Sequence, residues 1–78
     1  MSKVSPDMVI DAKGLVSPMP VLKARKAIDR LGQGQVLSVI ADDVTTPSDI
    51  SILVERLGLE LLETIERRGV TEFFIRKP

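Results

Sequence analysis

The sequence predicts a two-layer α/β sandwich: a four-stranded mixed sheet with both helices on one face. Three observations carry this. Two amphipathic stretches of helical period alternate with short β-branched runs, each stretch opened by proline and stopped near glycine. The element order that results is β-α-β-α-β-β. The last two runs are separated only by Arg67-Arg68-Gly69, a hairpin turn. Strand-helix-strand crossovers in one sheet are almost always right-handed, so two in succession place both helices on the same side. The first three strands then run parallel and the last returns antiparallel. One sheet face stays uncovered, with Leu62 and Phe74 as candidates for exposure there.

The elements follow in chain order. Met1 to Asp7 is polar and reads as a frayed start to a single domain spanning 1–78. Met8 to Ala12 is short, apolar and β-compatible. A helix is expected from Pro18 to about Leu31, with Val21, Ala24, Ile28 and Leu31 as its buried stripe and Gly32 as its C-cap. Gln35 to Ala41 is rich in Val, Ile and Leu and reads as a buried strand. A second helix opens with Thr46 as N-cap, Pro47 at N1 and Asp49 at N3, close to a capping box. Its stripe is Ile50, Leu53, Val54 and Leu57, and Gly58 ends it. Leu59 to Glu66 carries three glutamates and reads as an edge strand. Thr71 to Lys77 closes the sheet, Phe73 and Ile75 on one face, Glu72, Phe74 and Arg76 on the other.

Composition narrows the chemistry. The chain has 78 residues, two Phe, and no Trp, Tyr, Cys or His. The core is therefore aliphatic and small. No disulfide, thiolate metal site or thiol chemistry is available, nor the usual general base. The apolar runs are too short to span a membrane, and the amino terminus shows no signal-peptide pattern, so a cytoplasmic setting is expected. Net charge is zero, which does not point to nucleic acid. The charge is uneven, however: from Lys13 to Arg30 there are five basic residues against one acidic, Asp29.

The chain is organised around Ser17-Pro18-Met19-Pro20. Ser17 is a preferred N-cap type and Pro18 suits a first helical position. Two prolines remove N–H donors from the helix start and stiffen it. The expectation is an accessible Ser17 whose hydroxyl accepts from the Met19 N–H, at the positive end of the helix dipole. Such a place suits a reactive anion, which serine is not at neutral pH. Gly14 is expected to serve a turn, and Asp11 to orient the loop through backbone hydrogen bonds.

Asp11-x-x-Gly14-x-x-Ser17-Pro18-x-Pro20 closely resembles the motif of the TusA (SirA-like) family of small sulfur-carrier proteins, Asp-x-x-Gly-x-x-Cys-Pro-x-Pro. Gly34 with Leu37 and Val39, Asp42-Asp43, Asp49-Ile50 and the ending Phe74-Ile75-Arg76-Lys77 extend the likeness across Met8 to Lys77. The resemblance implies the same two-layer sandwich. It also implies a relay protein rather than a true enzyme. The motif Cys would accept sulfur as a persulfide from a cysteine desulfurase and pass it to a downstream acceptor, as in tRNA thiolation or sulfur metabolism. No cofactor of its own is implied. Ser17 stands at the sulfur-bearing position, with Asp11, Gly14, Pro18 and Pro20 shaping the site.

The departure matters as much as the match. A hydroxyl cannot form a thiolate or hold a persulfide, and the sequence offers no His to activate it. As written, the chain should not carry sulfur. Two origins are consistent with Ser17: a replacement of Cys by Ser that leaves an inert form, and a naturally Cys-less relative with a binding or regulatory role. In the second case the basic helix face or the bare sheet face would bind protein or RNA. Lys13, Lys23, Lys26 and Arg30 are the residues expected to contact a partner; the alternative is a solvated helix face. Asp42-Asp43 reads as a loop or capping pair rather than a metal site.

Overall fold

The computed structural model describes residues 4–78. The expected frayed start falls in part, at residues 1–3, outside the described residues. Asp7 itself is anchored: its N–H donates to the Val36 carbonyl and its carboxylate accepts from the Val36 N–H, both at 2.8 Å.

The elements are β1 (Met8–Asp11), α1 (Met19–Arg30), β2 (Val36–Ala41), α2 (Thr46–Leu57), β3 (Glu60–Arg67) and β4 (Val70–Arg76). The β-α-β-α-β-β order and the mixed sheet stand as expected. The strand order is β1-β2-β4-β3, with β1 parallel to β2, and β4 antiparallel to both of its neighbours. The first three strands thus share one direction, and β3 is an edge strand. The hairpin between β3 and β4 turns on Arg68 and Gly69, both at positive φ (51° and 80°), the left-handed pair that a two-residue hairpin turn requires.

The core lies between the helices and one sheet face. Leu37, Val39 and Ala41 of β2 and Phe73 and Ile75 of β4 meet Ala24, Ala27, Ile28 and Ile50 from the helices. The stripes follow the expected spacing, except that Leu57 remains partly exposed. α1 does not end on Gly32. Leu31 takes an extended conformation (φ −74°, ψ 142°) and turns its side chain into the core. Lys77 Nζ donates to the carbonyls of Ile28 and Leu31, at 3.1 and 3.0 Å, and so adds a cationic donor at the carboxyl end of α1, where Ile28 also accepts from the Leu31 N–H. α2 does end as expected, on a left-handed Gly58.

One expectation about the open face fails. Leu62 is exposed, at a bulge in β3, but Phe74 is only 3% exposed. Phe74 sits mid-sheet opposite Ser38 and Glu63, with Glu72 and Arg76 on the same face of its own strand. Ser38 donates to Glu72 at 2.6 Å, and Arg76 pairs with Glu60 across the edge. Cross-strand polar pairs, rather than a second layer of helices, flank the ring.

This predicts unequal costs on one face. Phe74→Ala should destabilise the domain by about 3–5 kcal/mol, the range for truncating a buried aromatic. Leu62→Ala should cost less than about 1 kcal/mol. Urea unfolding of the two variants measures the difference.

Candidate functional site

Because β1 and β2 are parallel neighbours, both strand-to-helix loops leave from the same end of the sheet. The amino ends of α1 and α2 therefore converge, and residues from both crossovers meet around Ser17.

The loop after β1 is shaped locally first. Asp11 Oδ1 accepts from the Lys13 N–H at 3.1 Å, a turn Asp is suited to form. Gly14 has φ +81°, a backbone state that a side chain would strain. Its N–H donates to Asp42 Oδ1 at 3.0 Å, tying the first loop to the second. The Ser17–Pro18 peptide is cis, and the Met19 N–H donates back to the Val16 carbonyl at 2.9 Å. Pro18 thus occupies the third position of a tight turn of the cis-proline type, and Pro20 is fully buried beneath it.

The capping expectation is corrected by this geometry. The N-cap of α1 is Pro18, without a side-chain cap bond. The Met19 N–H is taken by Val16, so it is not offered to Ser17. The Ser17 hydroxyl donates instead to Asp49 Oδ2 at 2.6 Å, and the side chain is half-buried. The second expected cap changes too. Thr45, not Thr46, is the N-cap of α2, and Thr46 is buried at the first helical position. Asp49 then lies one position deeper than a capping box requires, and its carboxylate is spent on Ser17.

Asp43 completes the arrangement. Hydrogen bonds from the Thr45 hydroxyl and N–H, then from the Ser17 backbone N–H and the Thr46 hydroxyl, hold its carboxyl below the usual carboxylate range. Three carboxylates of the second crossover, Asp42, Asp43 and Asp49, therefore clasp Gly14 and Ser17. The pairing of Asp42 and Asp43 with the first loop is the part that sequence reasoning missed. Its only signal was the run of acids around the start of α2.

The expected basic residues divide. Lys23, Lys26 and Arg30 line one groove of about 290 Å³ between α1 and β1, to which Ser17 does not contribute. Lys13 is not part of that groove; its ammonium lies 3.9 Å from the Asp11 carboxylate. Beyond these carboxylates, the two loops and both helices also carry exposed apolar residues. Val16, Met19, Val44 and Ile52 are exposed large hydrophobic residues, Val44 to 91%. Ile52 shares a second groove, of about 230 Å³, with Pro18, Asp49 and Arg56.

The hydroxyl–carboxylate bond can be weighed directly. A hydrogen bond to a charged group contributes about 1.5–3 kcal/mol when well buried, and half-exposure here brings that to about 1 kcal/mol. A double-mutant cycle of Ser17→Ala and Asp49→Ala, read by denaturant unfolding, should give a coupling of about that size.

Residues 8–77 match the family model described as sulfurtransferase TusA. The sulfur carrier protein TusA of Allochromatium vinosum is 39% identical over 71 residues, covering 91% of this chain and 93% of that protein. The sulfur carrier protein TusA of Pseudomonas putida (strain GB-1) is 40% identical over 77 residues, 99% of this chain and 96% of that one. Among solved structures, the SirA-like protein from Desulfitobacterium hafniense superposes with a TM-score of 0.80 at 35% identity, covering 88% of this chain and 95% of its own. Sequence, length and fold agree, and this chain belongs to the TusA family of sulfur-carrier proteins.

Proposed function

We propose that this domain is the scaffold of a persulfide relay acting in the cytoplasm, with position 17 as the sulfur-bearing position and Ser17 rendering it inert. The observation that carries the reading is the place of Ser17. It stands where the amino ends of two helices converge, within a motif that matches the family at every position but this one. Asp11, Gly14, Pro18 and Pro20 act by fixing the loop that presents it. In the active form a motif thiolate would take the terminal sulfur from a cysteine desulfurase's persulfide, leaving that enzyme's thiol behind. A downstream acceptor, such as one serving tRNA thiolation, would then remove it. Lys13, Lys23, Lys26 and Arg30 support docking of these partners, and the apolar rim around Ser17 excludes water at the transfer.

Serine fails in this role for a local reason. Asp49 accepts the hydroxyl proton's hydrogen bond, but a carboxylate is far too weak a base to remove it. Oxygen also cannot replace the sulfur that must be handed on. The chain as given can therefore act only by binding, which is the second reading: a module that engages the same partners without accepting their cargo.

The central test is mass spectrometry after incubation with a cysteine desulfurase, cysteine and pyridoxal phosphate. The protein as given should stay unmodified. The Ser17→Cys form should gain one sulfur and lose it on reduction. Absence of uptake from several desulfurases would favour the binding module. A Lys23→Glu/Lys26→Glu pair should weaken desulfurase binding without unfolding the domain, and wild-type affinity in that variant would remove these residues from the docking surface.

Asp49 adds a prediction about reactivity. A helix amino end lowers a thiol's pKa, whereas an adjacent carboxylate raises it. In Ser17→Cys the two oppose each other. Ser17→Cys/Asp49→Asn should therefore titrate at lower pH than Ser17→Cys alone, and alkylate faster with iodoacetamide at neutral pH. Equal rates would mean that Asp49 does not bear on the position.

A further inference from the structure

β1 is the other edge of the sheet. Among the described residues it pairs with β2 alone, so alternate N–H and C=O groups along its outer side have no strand partner there. An exposed edge of this kind accepts an extended chain as an added strand. What lies alongside this edge is specific. Lys23, Lys26 and Arg30 fall at i, i+3 and i+7 on α1 and form one cationic row over the groove beside β1. Met8, Val9, Ile10 and Ala27 supply its apolar lining, and its one carboxylate, Asp11, is paired with Lys13, so three cations remain for an occupant. Among the described residues none of the three cations is in an ion pair, whereas Arg25 and Arg76 each hold a carboxylate. Val9 is 54% exposed on the face away from the core.

We propose that the β1 edge binds an acidic, extended segment of a partner protein as a fifth strand, its carboxylates meeting Lys23, Lys26 and Arg30. The dimensions agree. Seven helical steps separate Lys23 from Arg30, about 10 Å along the axis. An extended chain covers that in about three residues, so acids at alternate positions reach the whole row. Charge complementarity selects the occupant. A second copy of this chain, added edge to edge, would set one cationic row beside another. A nucleic acid would satisfy the charges but has no use for the strand edge or the apolar lining. The surface is separate from position 17 and does not depend on sulfur chemistry there.

The test uses a labelled peptide of alternating glutamate and valine, followed by fluorescence anisotropy with the full chain. Binding should weaken with salt and fall about tenfold or more in Lys23→Glu/Lys26→Glu, with the milder Arg30→Gln lowering it in a protein whose fold is checked by circular dichroism. Two versions of the peptide, methylated on alternate backbone nitrogens in the two registers, separate strand addition from charge attraction. One version should lose binding and the other keep it, and outward-facing amides of Met8–Asp11 should exchange more slowly in the complex. Equal binding of both methylated versions overturns the proposal, as do absent binding, tighter capture of a single-stranded oligonucleotide, or a concentration-dependent dimer through β1. Sulfur uptake by the Ser17→Cys form, measured separately, tells failure of this surface from failure of the relay reading.

Discussion

The parallel pairing of β1 with β2 is the constraint on which the rest of the molecule depends. Parallel neighbours cannot be joined by a short turn, so the chain must cross over, and the crossover is a helix. Both loops then rise from one end of the sheet and both helix amino ends arrive there together. The candidate site follows from that arrangement alone. Gly14 can reach Asp42, and Ser17 can reach Asp49, only because two segments about thirty residues apart leave the sheet side by side.

Electrostatics at the site are a balance rather than a single bias. Two helix amino ends contribute positive potential, while Asp42, Asp43 and Asp49 contribute negative charge within hydrogen-bond reach of the loop. For a hydroxyl the balance is harmless: it stays protonated and donates. For a thiol the same surroundings set two opposing pulls on its ionisation. The cationic row on α1 lies elsewhere, along the β1 edge. The two features are thus set apart: the row faces one groove, and Ser17 meets the carboxylates of the second crossover.

The uncovered sheet face shows how a small domain without a third layer protects an aromatic ring. Phe74 is buried although, among the described residues, it lies outside the core that the helices cover. Ser38–Glu72 and Glu60–Arg76 stretch across the strands around it, satisfying their own polar atoms as they do so. A ring flanked in this way adds apolar burial that 78 residues would otherwise lack.

The sequence by itself determined the elements, their order, the hairpin, the edge position of β3, the left-handed end of α2 and the motif that marks position 17. Each of these is written in local periodicity, in proline and glycine placement, or in a contiguous string of residues. The partners were settled only by tertiary structure. Thr46 and Ser17 both have the chemistry of a cap, yet neither acts as one: the Ser17 hydroxyl donates to Asp49 of the other crossover, and the buried Thr46 lies one residue inside α2 with its hydroxyl toward Asp43. Leu31, rather than the glycine beside it, ends α1, and its side chain is buried in the core. Phe74 alternates like an exposed residue, yet it is buried in the middle of the sheet, opposite Ser38 of β2 and Glu63 of β3. Local chemistry names the candidates; which donor meets which acceptor is decided by what the fold brings within 3 Å, and these meetings join residues far apart in the chain.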